Sequence, residues 1–483
     1  MKRPVATLLS IALGGLIAGC GETTSSGGPL QLAVIATPAL TDTIGALPTQ
    51  HLVVEVRDQS RKPYPGIEVH FDAPAPERFR YHLLVARSDA HQWMTSVLDT
   101  TDAQGRAEIA VELGTLAGTA NLTIDLQDGS TPLTVSFTVL PGAPARMATD
   151  PSDTALYAGN GYQIRTSVWD RADNPIQVAT YAAQGPVTVS ASGMVSGQDI
   201  GRGQVVVSAT PIADTLYVSV VPHGTIAVSV GISDIYGLAV LDLDGSGYRV
   251  VRTRTSTNPG AWGPTWSPDG THIVYAGPYP DDNIYTDDLN GSEQRLVTDE
   301  VVGFRRDRWP EYTRDGAWVY FGVSQQPYSL QPSLWRAKGD GSAPVQVDSF
   351  ATFFDYEPEP SPSPDGQHVI FGASGGLWNV DVNAQTAVQL SNTGYTPRWS
   401  PTGNLIAFIG PGFQSVRVAN PDGSAERIFA PDQSFNLGLS WSPDGAWLIA
   451  RSASSLVLIR VADGLVLPLA FTVAYLQEPA WRP

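Results

Sequence analysis

The chain has 483 residues, enough for several domains that each bury a core. Its formal net charge of −18 sets 47 acidic side chains against 29 basic ones, which excludes a nucleic-acid-binding surface, since such surfaces need a basic patch. Glycine (47) and proline (38) are abundant and no long amphipathic helical pattern occurs, so the sequence predicts an all-β protein of short strands joined by turns.

At the N-terminus, Lys2 and Arg3 precede an apolar run of 13 residues from Val5 to Ile17. A bilayer span needs roughly 20 residues, whereas this length suits a secretory signal. The run ends Ile17-Ala18-Gly19-Cys20, which resembles the bacterial lipoprotein signal box. The resemblance implies removal of residues 1–19 and lipidation of Cys20, so that the membrane is reached through a lipid anchor only. Cys20 is the sole cysteine, which rules out an intrachain disulfide. Residues 20–29 read as a flexible tether rich in Gly, Ser and Thr. Gly21, in place of the aspartate linked to inner-membrane retention, implies an outer-membrane protein facing the periplasm or the cell surface.

Residues 30–140 alternate apolar and polar positions in His51–Val56, Ile67–Phe71, Ala107–Val111 and Leu133–Val139, with turn signals at Lys62–Gly66, Asp102–Gly105 and Asp128–Gly129. That pattern predicts an antiparallel sandwich. The strings VEVRDQSRKPYPGIEVHF and TDAQGRAEIAVELGTLAGTANLTI are similar to bacterial Ig-like modules of the invasin and intimin type, although the stretch Ala75 to Asp99 is long for a sandwich loop. Pro141-Gly142-Ala143-Pro144 marks a boundary, and residues 141–222 form a second all-β unit. Its end (Gly193–Gly197, Gly201–Gly203, Gln204–Ala209) is similar to the group 2 bacterial Ig-like family. Both resemblances imply spacers or stalks.

From residue 223 to 483 the sequence repeats. A turn element recurs at Pro264–Gly270, Pro310–Gly316, Pro360–Gly366, Pro397–Gly403 and Leu439–Gly445, its glycines 46, 50, 37 and 42 residues apart. This is the period of a four-stranded propeller blade. An apolar strand follows each glycine, and Asp-Gly or Asn-Gly turns suited to tight hairpins come later in most repeats. The chain stops at Glu478-Pro-Ala-Trp481-Arg-Pro483, the front half of a repeat without its glycine, while His223-Gly224-Thr-Ile-Ala-Val228 and then Leu238 to Ser246 supply a back half. Joined, they make a sixth repeat, so the C-terminal strand is predicted to close a six-bladed ring and remove its edges. The W-S-P-D-G turns of Trp266, Trp399 and Trp441 resemble those of the TolB-type propeller family, whose α/β companion domain is absent here.

Several patterns imitate active sites. Gly372-Ala-Ser374-Gly-Gly376 has the spacing of a nucleophile elbow but joins two propeller strands rather than a strand and a helix, so it reads as a hairpin turn. Asp242-x-Asp244-Gly245 lacks the third acid and distal glutamate of a calcium loop. The seven histidines show neither HExxH spacing nor a CxxC companion. No catalytic residue, metal or cofactor is predicted. The irregular connections all fall on one side of the propeller, opposite the tight turns. They carry Trp262, Tyr279, Phe304, Arg305, Arg306, Arg308, Tyr328, Phe353, Phe354, Tyr356, Phe435 and Tyr475, with acids Asp281, Asp282, Asp355, Glu357 and Glu359. Aromatic and arginine enrichment on loops marks a binding face. The sequence thus reads as a non-enzymatic envelope lipoprotein whose propeller binds protein partners, with a glycan-binding or polysaccharide-degrading role as the alternative.

Overall fold

Alternating sequences become strands here wherever one face meets a core: Leu52–Arg57 buries Leu52, Val54 and Val56 and turns Val53, Glu55 and Arg57 outward. The computed structural model describes residues 30–483 except 91, 129, 233–234, 255–260, 278–282, 291, 298–304, 326–329, 348–357, 374–375, 454 and 472–475. The described residues contain no α-helix, and none that could cross a membrane. They form two compact units, one running to Arg146 and including Trp169–Ile176, the other comprising Met147–Val168 and Gln177–Pro483.

In the first unit a four-stranded sheet (Gln31–Ala36, Leu52–Arg57, Arg106–Leu113, Leu83–Arg87) faces a five-stranded one (Thr41–Thr43, Leu133–Leu140, Gly118–Asp125, Glu68–Asp72, Ser96–Thr100). Phe71, Leu83, Ile109, Leu113 and Phe137 are fully buried between them. The stretch expected to be an overlong loop is not one. It supplies a strand to each sheet, Leu83–Arg87 beside Arg106–Leu113 and Ser96–Thr100 beside Glu68–Asp72. The short second strand, Thr41–Thr43, runs parallel to Thr138–Leu140 at the end of the module.

The second unit begins with another two-sheet module. Thr154–Tyr157, Ile212–Val221, Gly201–Ala209 and Thr180–Gln184 form one sheet; Gly161–Gln163, Met194–Gly197 and Val187–Val189 form the other. Here too an early strand, Thr154–Tyr157, runs parallel to the last, at Val218–Val221. Only Pro222, His223 and Gly224 intervene before the next strand, Thr225–Ile232, and Ala155, Tyr157 and Val221 share a core with Ile226, Val228, Leu241, Trp447 and Leu467. Tyr157 stacks on His223 at 4.0 Å and donates to the Gly224 carbonyl at 3.2 Å.

The rest is a β-propeller of six four-stranded sheets. In the first, Leu476–Trp481 is innermost and pairs antiparallel with Thr225–Ile232, with Ile226 opposite Trp481. The others each use consecutive strands, whose innermost members are Trp262–Trp266, Arg305–Tyr312, Ser361–Pro362, Tyr395–Trp399 and Phe435–Trp441. The recurring turn explains why the sequence repeats. In the second sheet Ser267 donates to Asp269 Oδ1 at 2.6 Å, Thr271 N–H donates to the same oxygen at 3.0 Å, and His272 N–H returns to Ser267 Oγ at 3.0 Å. Thr313 with Asp315, Ser363 with Asp365 and Ser442 with Asp444 build the same closed loop of bonds. The glycine that follows holds a positive φ, 66° at Gly270.

Candidate functional site

The innermost strands carry a second repeated feature. The pairing register slips at Trp262/Thr265, Arg308/Glu311, Tyr395/Arg398, Phe435/Leu439 and opposite Ala227/Ser229 of the first sheet, the signature of a β-bulge. Trp309, Thr396 and Glu478, each just before a proline, sit at φ of 57°, 47° and 49° there. Such conformations cost of order 1–3 kcal/mol in side-chain-bearing residues and persist only where the surroundings enforce them. The fit is tight: a Cβ on Gly438 would approach the Glu478 Cα to 2.8 Å.

Each innermost strand, bulged or not, contributes to the channel the residue preceding the motif tryptophan or its substitute. This ring of Thr265, Glu311, Ser361, Arg398, Ser440 and Ala480 lines a central channel enclosing about 360 Å³. Ser361 Oγ accepts from Trp399 N–H at 2.9 Å and Ser440 Oγ from Trp481 N–H at 3.0 Å, tying each sheet to the next. Arg398 reaches Glu359 at 2.5 Å. Glu478 Oε2 accepts from Gly263 N–H and Ser229 Oγ, both at 2.8 Å. Three carboxylates thus converge around one guanidinium, with Arg308 close enough to act on Glu478.

Burial pushes Glu311 above the ordinary carboxylate range; Arg398 and a hydrogen bond from Thr265 pull it back, and Glu359 pushes it further up. Glu478 is raised by burial in the same way, against the pull of Gly263 N–H and Ser229. For Arg398 burial acts downward, and Glu359, Glu311 and Glu478 outweigh it. A carboxyl with a raised folded pKa binds more protons folded than unfolded, so its stabilising share is lost as pH rises above the usual 4.5. Glu311→Gln should therefore be near neutral at about pH 4 and raise the melting temperature at about pH 8. Thermal melts across that range check this, and a variant less stable at the upper end contradicts it.

Sequence reasoning named Glu359 and Arg308 only as loop-face residues and did not foresee this cluster. Aligning the repeats on Pro-x-Trp would have placed Glu311 and Arg398 in one column and Glu359 and Glu478 in another. Of the loop-face residues, Tyr279, Phe304, Tyr328, Phe353, Phe354, Tyr356 and Tyr475, with Asp281, Asp282, Asp355 and Glu357, lie outside the described residues. Trp262 begins an innermost strand, and Arg305, Arg306 and Arg308 fall inside another, Arg305–Tyr312, rather than in loops. Phe435 corrects the expectation outright: it is 1% exposed, in the core between the fifth and sixth sheets. Cys20 and the tether also lie outside the described residues. Among the described residues no group of three or more His, Cys, Asp and Glu could hold a metal ion.

No family model matches the chain. An uncharacterised protein of Agrobacterium fabrum is 32% identical over 182 residues, covering 33% of this chain. An uncharacterised peptidase, YuxL, of Bacillus subtilis is 25% identical over 205 residues, 39% of this chain. The Tol-Pal system protein TolB of Gluconobacter oxydans is 35% identical over 102 residues, 18% of this chain. The chain spans 57%, 30% and 22% of those relatives' own lengths. Among solved structures, TolB from Acinetobacter baumannii is 19% identical with a TM-score of 0.45, covering 63% of this chain and 83% of that one.

Proposed function

We propose that this is a non-enzymatic cell-envelope lipoprotein, anchored through Cys20, whose TolB-like propeller of six blades binds a protein partner. Residues 30–140 and 141–222 act as Ig-like stalk modules that precede the propeller of residues 223–483 in the chain. The observation that carries the reading is the asymmetry of the ring. Tight turns on one side are locked by near-identical Ser/Thr–Asp bonds, while the longer connections in the sequence carry aromatics such as Tyr279, Phe353, Phe354 and Tyr356. The likeness to TolB supports an envelope setting. The carboxylates of the channel have partners in Arg398, Thr265, Ser229 and Gly263, which favours a pinning role over catalysis.

Photo-crosslinkers at Phe353 and Tyr356 should trap a discrete envelope protein in cells, and those at Ser292 and Ser424 should not. With that partner purified, reversing Arg305 and Arg306 should weaken binding about thirtyfold, the scale of a hot-spot loss. Trapping only from the tight-turn side overturns the assignment of the face, and turnover of a polysaccharide or peptide overturns the non-enzymatic reading. Cys20→Ala should release the mature protein into a soluble fraction or stall its processing. An unmodified thiol at Cys20 in membrane-purified protein, read by mass spectrometry, contradicts the anchor.

A further inference from the structure

On the tight-turn side, between the fourth and fifth sheets, lies a cleft of about 590 Å³. That is within the roughly 300–1,000 Å³ of ordinary ligand pockets. The fourth sheet gives it small polar side chains at two neighbouring positions. Two residues after the turn glycine, the third and sixth sheets carry Trp318 and Trp447, whereas the second and fourth carry His272 and His368. On the neighbouring strand the third sheet places Arg336, its guanidinium 4.1 Å from the Trp318 ring, and the sixth places Leu458. The fourth has Asn379 in that position, diagonal to His368. Two small polar side chains thus stand where others fill the wedge with an indole and a long side chain.

Three polar atoms buried in this cleft have no hydrogen-bond partner among the described residues: His368 Nδ1, Asn379 Oδ1 and Trp399 Nε1. Elsewhere in the ring the same groups are satisfied. Trp266 Nε1 donates to the Ala480 carbonyl and Trp441 Nε1 to the Arg398 carbonyl, both at 3.1 Å. His272 Nδ1 meets Thr271 Oγ1 at 2.7 Å. Buried donors and acceptors left unmet carry an uncompensated desolvation cost, so a group that satisfies all three binds at an advantage.

The lining also selects the chemistry. No lysine or arginine contributes to it, while Asp365 and Asp422 stand in it. An anion would meet two carboxylates and leave the asparagine oxygen unserved. A quaternary cation offers no acceptor to the indole N–H. A hydroxyl does both, because it donates and accepts at once. Leu390, Val388, Pro364 and Pro421 supply an apolar wall for the C–H face of a ring, and Val388 is 61% exposed with nothing over it among the described residues.

We propose that this cleft binds one neutral sugar residue, free or as a unit of a glycan, whose neighbouring hydroxyls bridge Trp399, Asn379 and His368. The site lies on the opposite side of the ring from the proposed protein-binding face and stands independently of it. Calorimetric titration of the full-length protein with glucose, galactose, N-acetylglucosamine and maltose tests it, with inorganic phosphate and tetramethylammonium as controls. At least one sugar should bind saturably, and Trp399→Phe and Asn379→Leu should each weaken it about fivefold or more, the loss of one hydrogen bond. His368→Trp, which refills the wedge as in the third and sixth sheets, should abolish binding while leaving the melting temperature unchanged or higher. Arg305→Glu should leave binding intact. No saturable binding of any of the sugars up to about 20 mM, binding that the cleft variants leave unaltered, or tighter binding of either control overturns the proposal.

Discussion

Deleting Glu478–Pro483 should collapse the cooperative melt of the propeller. The lost strand pairs along Thr225–Ile232 and carries Trp481, 7% exposed and wedged so closely that a Cβ on Gly224 would lie 2.7 Å from its indole nitrogen. It also removes Glu478, which bonds Gly263 and Ser229, and Arg482, which donates to the Gly270 carbonyl at 2.8 Å. Trp481→Ala alone should cost about 3–5 kcal/mol, the range for emptying a large buried aromatic site. The deletion should cost more and leave Thr225–Ile232 as an unpaired edge, a template for aggregation. Urea unfolding and gel filtration read both effects. A truncated protein that melts at the full-length temperature and stays monomeric contradicts closure by this strand.

Arg398→Met should be nearly as damaging. Glu359, 7% exposed, would lose its guanidinium, and Glu311 would lose the charge that offsets its burial. Removing one partner of a buried ion pair typically costs about 3–5 kcal/mol, whereas replacing both by apolar groups of similar volume is often neutral. Arg398→Met with Glu359→Leu should therefore recover most of the loss. Denaturant melts of the two single variants and the double one form the cycle. A double variant as unstable as the sum of the singles shows that the two residues act apart.

The comparison between sequence and structure follows from what is local. The Ser-Pro-Asp-Gly turns are visible because each forms its own closed set of bonds within six residues, and repetition exposes them. The channel cluster gathers residues 311, 359, 398 and 478, which only the ring brings together. The bulge hides it further by breaking the period-two alternation, so that the innermost strands begin earlier than the pattern suggests and Phe435 reads as a loop residue when it belongs to a core. The missed strands at Leu83–Arg87 and Ser96–Thr100 have a related cause. Each is only five residues long, and the second buries Val97 alone, too little for alternation to declare itself.

Both sandwich modules share one pairing whose consequence is mechanical. Thr41–Thr43 runs parallel to Thr138–Leu140, and Thr154–Tyr157 parallel to Val218–Val221. Each pair joins strands near the start and the finish of its module, so a pull along the chain drags the two strands past each other lengthwise. Every bond of the ladder then bears load at once, instead of opening in sequence as a hairpin unzips. Under tension the lifetime of such a module is set by its unfolding rate, and a ladder loaded in shear keeps that rate low.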